Sequence, residues 1–466
     1  MPELRTRSVR RRLWTALAAG VGLGAACLVS RPDRALRTAT GFVSHTLCST
    51  RFVSGLDPAQ VYAETIRPMP GFAAFAWALR YDVDASRREV RASVAGGFPS
   101  HAVYREGRGC TIVRDGEPPP AIQSEPASAP PVPPLAGPAP VEAADRRLAE
   151  AVARAFDEPE GSPRRRTKAV VVVQDGRVAA ERYAPGYGVE TPLLGWSLTK
   201  SVTSALVGIL VREGRLSVGQ PAPVPAWRDP ADPRRAVTID HLLRMTSGLA
   251  LDETHSGFDP ASQMLHVEPD MARFAAGARL REKPGTVWRY TSGNTLILSG
   301  ILRDAVGGRA EDVRRFARRE LFGPLGMRSA TFEFDAAGAP IGSTYLFATA
   351  RDWARFGMLY LDDGIVNGQR VLPEGWVRYC SSPTLGGPYA AGFWLGSTRW
   401  RAHWQAPADA FFAAGMLGQR VLVVPSERLV IVRFGVTHEG DEGLGRLLQD
   451  VLAARRHPSR ESGAGG

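Results

Sequence analysis

The sequence predicts an α+β fold, an antiparallel β-sheet flanked by helices with a mostly helical subdomain between its strands. Three observations predict it. Near the start of a large domain, "KAVVVVQ" (168–174), a "DG" turn and "RVAAERYA" read as a β-hairpin. Near its end, "RVLVVPSERLVIVRFGV" (420–436) reads as a second hairpin. Between them the apolar residues recur at helical spacing, as in "SLTKSVTSALVGIL". Strands at both ends with helices between place the two hairpins in one sheet.

The chain divides by composition. Residues 1–36 read as a signal or membrane-anchor segment, with a basic start ("RTRSVRRR") and an uncharged run of 17 residues from Leu13 to Val29. Positive charge ahead of that run predicts an N-terminal apolar helix with its start inside and the body of the protein exported to the periplasm or cell exterior. Residues 37–115 hold short strand-like pieces ("REVRASVAG", "HAVYREGRGCTIV") and a helical piece near "PAQVYAETI", and read as a small α+β cap. Residues 116–142 are a proline-rich linker, expected to be an extended spacer. The large domain, 143–456, opens with the helix "VEAADRRLAEAVARAF" and closes with the helix "GLGRLLQDVLAARR"; residues 457–466 form a tail.

Net charge is +11, which by itself suggests a nucleic-acid partner. Eight arginines against Glu3 and Asp33 in the first 37 residues account for more than half of it. The remainder shows no basic stripe with interleaved aromatics, so no nucleic-acid partner is expected. The histidines are scattered, and neither H-E-x-x-H nor paired C-x-x-C occurs, so no metal or cofactor is expected. No G-x-S-x-G elbow is present. Of four cysteines, Cys48 and Cys110 bracket the small cap and are the expected disulfide, a closure contributing about 4 kcal/mol in the chain-entropy model. Cys27 falls in the apolar run, and Cys380 reads as a buried thiol.

Only three of the 58 basic residues are lysines: Lys168, Lys200 and Lys283. Arginine stays protonated in proteins, so a lysine in such a chain can mark a site that needs a neutral amine. Lys168 and Lys283 read as surface positions. Lys200 stands in an apolar helix, one turn from Ser197 and on the same face. Burial would lower its pKa and let it deprotonate the serine during attack on a carbonyl. The same spacing also suits a polar first turn on a core helix. Two further segments add to it. In "KPGTVWRYTSGNTLILSGIL" (283–302), Tyr290 sits in a polar loop before a helix, placed to relay a proton. In "AAGMLGQRVLVVP" (413–425), glycines precede a buried strand and allow a backbone N–H to approach a ligand closely. "ETHSGFD" (253–259) reads as a solvated loop.

Taken in this order, the three segments resemble the serine β-lactamase and penicillin-binding-protein-like superfamily, in the branch of class C β-lactamases, related esterases and 6-aminohexanoate-dimer hydrolases. "VTIDHLLRMTSGL", "LFGPLGMRSATF" and "TARDWARFGMLYLDDGIVNGQRVLPEGWV" extend the resemblance over roughly 170–455. It implies that Ser197 is the acylated nucleophile, Lys200 its base and Tyr290 the proton relay. Oxyanion and substrate-binding positions are implied at Gly418, Gln419, Ser292 and Asn294. Two departures stand out. "YTSGN" lacks the class C Tyr-x-Asn and is nearer the aminohexanoate-hydrolase wording, and Met416-Leu417-Gly418 carries no cation where that family binds a substrate carboxylate. The expected activity is therefore an exported serine hydrolase acting on a small-molecule ester or amide. The alternatives are a β-lactamase or D-Ala-D-Ala peptidase, and a non-catalytic acyl-binding sensor.

Overall fold

From Thr38 to Thr50 every residue of the first described helix is buried, although the segment is rich in threonine and serine. This helix (α1, Pro32–Phe52) opens the computed structural model, which describes residues 32–114, 116–123, 132–160, 164–396, 404–440 and 442–456. Several of its hydroxyls bond back along the helix: Thr38 donates to the carbonyl of Arg34 at 2.9 Å and Thr50 to that of Thr46 at 2.7 Å. A four-stranded antiparallel meander follows, β1 (Leu79–Asp84), β2 (Glu89–Val94), β3 (Gly97–Arg105) and β4 (Gly109–Val113). It packs on α1, and the Cys48–Cys110 disulfide joins the helix to β4. The predicted apolar helix at Leu13–Val29 lies outside the described residues. Among those residues, no helix is long and apolar enough to cross a membrane.

The large domain is built on a six-stranded antiparallel sheet. Its strands are β5 (Thr167–Gln174), β6 (Arg177–Tyr183), β7 (Trp394–Leu395), β8 (Phe411–Gly415), β9 (Gln419–Val424) and β10 (Leu429–Gly435), in the order β7-β8-β9-β10-β5-β6. The two hairpins read from the sequence thus meet, β10 pairing with β5. "KAVVVVQ" is an unbroken apolar run because both faces are covered. Val170 and Val172 pack under α2 (Arg146–Arg154) and α7 (Leu444–Arg456), while Val171 and Val173 face the main core. Helices on that side include α3 (Leu198–Arg212), α4 (Pro260–His266), α5 (Ser292–Val306) and α6 (Ala350–Leu361).

Cap and large domain share one continuous core, and charged groups fasten them. Glu333 of the large domain is fully buried, with Oε2 2.8 Å from His45 Nε2 and Oε1 accepting the Cys110 N–H at 2.7 Å. Lys168, read from the sequence as a surface position, is buried, with its amine 2.7 Å from Glu64 of the cap. It starts a strand on the side that the cap covers. The described ends of the proline-rich stretch carry no helix or strand but are docked. Arg351 donates to the carbonyls of Gly137 and Ala139, and Arg328 to that of Val132. Extended proline-rich backbone leaves its carbonyls free for such donors.

Candidate active site

Helix α3 is buried on all sides from Leu198 to Leu210, so its polar side chains must find partners within the protein. Ser201 donates to the carbonyl of Gly392 at 2.6 Å, Thr203 to Gly342 at 2.7 Å and Ser204 to Ala391 at 3.0 Å. These bonds fix the helix against two loops and so fix its first turn. Ser197 caps that turn with helical backbone, directly after Trp196, whose φ of 47° is left-handed. A non-glycine residue held there stores strain of about 1–3 kcal/mol, which packing must offset. The Trp196 ring lies 6.1 Å from Phe42 of the cap and 6.2 Å from Tyr345.

Lys200 is 3% exposed, and its amine has three polar neighbours: Ser197 Oγ at 2.9 Å, Ser292 Oγ at 3.0 Å and the Ser343 carbonyl at 3.0 Å. The carbonyl can only accept. Ser292 Oγ donates to Glu253 Oε1 at 3.1 Å, so it too must accept from Lys200. A neutral amine has two protons, and both are thereby committed. Its lone pair is left facing the hydroxyl of Ser197. Burial pushes the Lys200 amine down to about 8, opposed by the negative charge of Glu253.

Tyr290 completes the group, its hydroxyl near enough to Ser197 to interact with it and its ring centroid 4.9 Å from the Lys200 amine. Burial holds its phenol well above the usual value, with the Glu253 charge adding to the effect. It is a neutral donor and acceptor rather than a phenolate. Its ring is wedged against Trp394 at 5.3 Å and Tyr389 at 5.6 Å. Ser197, Lys200, Tyr290 and Ser292 are therefore brought together.

The other sequence-derived positions fall elsewhere. Asn294 is buried away from the cavity, accepting from Ser247 at 2.7 Å. Gln419 spends its side-chain amide on the carbonyls of Met416 and Gly435 and on the Gly435 N–H. Gly418 accepts from Arg433 at 2.8 Å, and its φ of 84° serves the turn between β8 and β9. The cavity beside Ser197 is lined instead by Gly415 and Met416, two to three residues earlier. Gly415 is required there, because a Cβ would collide with the carbonyl of Gly195. The register sets this: Gly415 pairs with Gln419, so the strand end, not the turn, abuts the nucleophile.

Two residues missed in the sequence belong to the site. Glu253, in the segment read as a solvated loop, has a side chain only 6% exposed and accepts from both the backbone N–H and the hydroxyl of Ser292. Arg420 lines the cavity from β9, a cation close to the Met416–Gly418 turn, which has none. It is held by Glu442 at 2.7 Å and by the carbonyls of Gly415 and Gln419, so its charge is engaged. Glu253→Gln tests the first of these. Removing the carboxylate charge is expected to lower the Lys200 pKa further, moving the acid limb of the pH–rate profile to lower pH. A slower enzyme with an unmoved profile would reduce Glu253 to a structural role.

The comparisons with known proteins agree with this geometry. The family profile described as Beta-lactamase matches residues 151–453. The 6-aminohexanoate-dimer hydrolase of Paenarthrobacter ureafaciens is 28% identical over 225 residues, covering 46% of this chain and 56% of that protein. An uncharacterised protein of Mycobacterium tuberculosis is 29% identical over 255 residues, covering 44% of this chain and 62% of its own. The chain thus spans less than two thirds of the length of these relatives. Among solved structures, a penicillin-binding protein homolog from Caulobacter crescentus superposes with a TM-score of 0.54 at 20% identity, covering 68% of this chain and 99% of that one. A family VIII carboxylesterase gives 0.51 at 15% identity, covering 67% and 98%; at such identities the likeness is one of fold. With a match across most of the large domain and Ser197, Lys200 and Tyr290 brought together beside its sheet, the chain belongs to the Beta-lactamase family of hydrolases.

Proposed function

We propose that the protein is a serine hydrolase that cleaves a small-molecule ester or amide through an acyl-enzyme on Ser197. The observation that carries this is the set of three contacts at the Lys200 amine, which in its neutral form would commit both protons to Ser292 and Ser343 and leave its lone pair to the Ser197 hydroxyl. Ser197 Oγ attacks the carbonyl carbon while its proton passes to Lys200. The negative oxygen that forms is met by the N–H of Ser197 at the head of α3 and by that of Met416 at the strand end. The proton then crosses through the Tyr290 hydroxyl to the leaving alcohol or amine, which departs as the carbonyl re-forms. Water repeats the sequence on the acyl-enzyme, giving up a proton to the same Tyr290–Lys200 pair. The carboxylic acid leaves and Ser197 regains its proton. The Cys48–Cys110 disulfide supports export of the protein to an oxidising compartment.

Esters and unconstrained amides fit this site better than penicillins. Their recognition needs a cation free for the substrate carboxylate, and Arg420 is tied to Glu442. Incubating the full chain with a fluorophosphonate probe, a fluorescent penicillin and a panel of nitrophenyl esters tests the reading. Labelling by the fluorophosphonate, turnover of esters and weak penicillin labelling are expected, all lost in Ser197→Ala. No labelling and no turnover would overturn it, and labelling without turnover would make the protein an acyl-binding sensor.

A further inference from the structure

The family match begins at residue 151, yet a third of the residues that line the cavity in front of Ser197 precede it. Its volume is about 800 Å³, far more than a small acyl group fills. One wall is a face of α1, where Ala35, Ala39 and Phe42 recur at helical spacing. Phe72 and Phe75 of the cap and Leu265 of α4 continue it. The two alanines leave open space where larger side chains would close the channel. Charge is confined to another part of the lining, at Glu253 and Arg420. His266, which lies 5.2 Å from Phe42, is buried and driven down to about 3 by desolvation, so it stays neutral. Phe258 lines the cavity with half of its surface exposed. A polar reacting end joined to a long apolar wall selects a molecule of the same pattern.

Resting on the serine-hydrolase reading, we propose that the cap builds a binding site for an unbranched apolar chain of the substrate, about eight carbons or longer. The substrate class is then a fatty ester or amide. Each methylene moved from water onto this wall strengthens transition-state binding, so kcat/KM rises with chain length by up to about fourfold per methylene. The chain enters as part of either the acyl or the leaving group, and both place it against α1.

Two substrate series test this on the full chain: nitrophenyl esters from acetyl to dodecanoyl, and acetate esters from ethyl to dodecyl alcohol. A rise in the first series assigns the wall to the acyl chain, and a rise in the second assigns it to the alcohol. Either supports the proposal. In Ala39→Trp the ratio of decanoyl to acetyl kcat/KM (or of the matching alcohols) is expected to fall at least tenfold. Should that variant not fold, dodecanoate is expected to inhibit the wild type competitively where acetate does not. Measurable hydrolysis of acetyl esters with no gain in either series would overturn this proposal and leave the hydrolase standing. Absence of any ester turnover together with absence of fluorophosphonate labelling would overturn the hydrolase reading beneath it.

Discussion

Lys200→Arg is expected to lower kcat/KM by a thousandfold or more, the scale of losing a general base that acts on the nucleophile. The charge is kept and a hydrogen-bonding group remains, but a guanidinium does not surrender its proton in a protein. Nothing would then receive the proton of Ser197. Because the two residues act as a unit, Ser197→Ala combined with Lys200→Arg should be hardly worse than either alone. The same account sets the pH dependence. Burial places the amine at about 8, so it is mostly protonated below that value and mostly free above it. Activity should rise with pH through about 8 and fall close to tenfold per unit well below it. Full activity in Lys200→Arg, or a rate independent of pH between 6 and 9, would refute the neutral-amine argument.

Glu333→Ala is expected to destabilise the protein by about 3–5 kcal/mol, the range for leaving buried polar groups without their charged partner. Three groups of the cap converge on this carboxylate: His45 Nε2 at 2.8 Å, Ser49 Oγ at 2.8 Å and the Cys110 N–H at 2.7 Å. None would have water to turn to, since Glu333 is fully buried. Glu333→Gln keeps an acceptor and should lose less. Urea unfolding with the Cys48–Cys110 disulfide intact measures both. A loss below about 1 kcal/mol for the alanine variant would mean that the cap is held by apolar packing alone.

The large domain was legible in the sequence because its elements carry strong local patterns. Four valines in a row followed by Asp175-Gly176 specify a buried hairpin, and the 195–210 stretch specifies a core helix with two reactive side chains on one face. Helix α1 was not legible. Its threonines, serines, Gly41 and His45 are poor helix formers, and burial on every side removes the polar face by which an amphipathic helix is recognised. Gly41 is there because a Cβ would strike the carbonyl of His266, a long-range contact that no local pattern reveals. Ser197 and Lys200 were singled out by chemistry, through the scarcity of lysine, and the fold sets them 2.9 Å apart. Lys168 was read as a surface position, whereas it is buried beside Glu64, from a distant part of the chain. Glu253 was hidden in a polar loop, and only the fold brings its carboxylate to Ser292. Gly418 and Gln419 do not line the cavity, because the pairing of Gly415 with Gln419 decides which strand residues face it. Arg420 lay just beyond the turn searched for a cation, and strand alternation alone could have placed it on the face shared with Ala414.

The central claim is that Ser197 carries the acyl group during turnover. Intact-protein mass spectrometry of the full chain, acid-quenched while it hydrolyses a nitrophenyl ester, tests it directly, with peptide mapping to locate any added mass. The account predicts an increase equal to one acyl group, located at Ser197 and absent in Ser197→Ala. Rapid ester hydrolysis that persists in Ser197→Ala, or an acyl group found on a different residue, would contradict it.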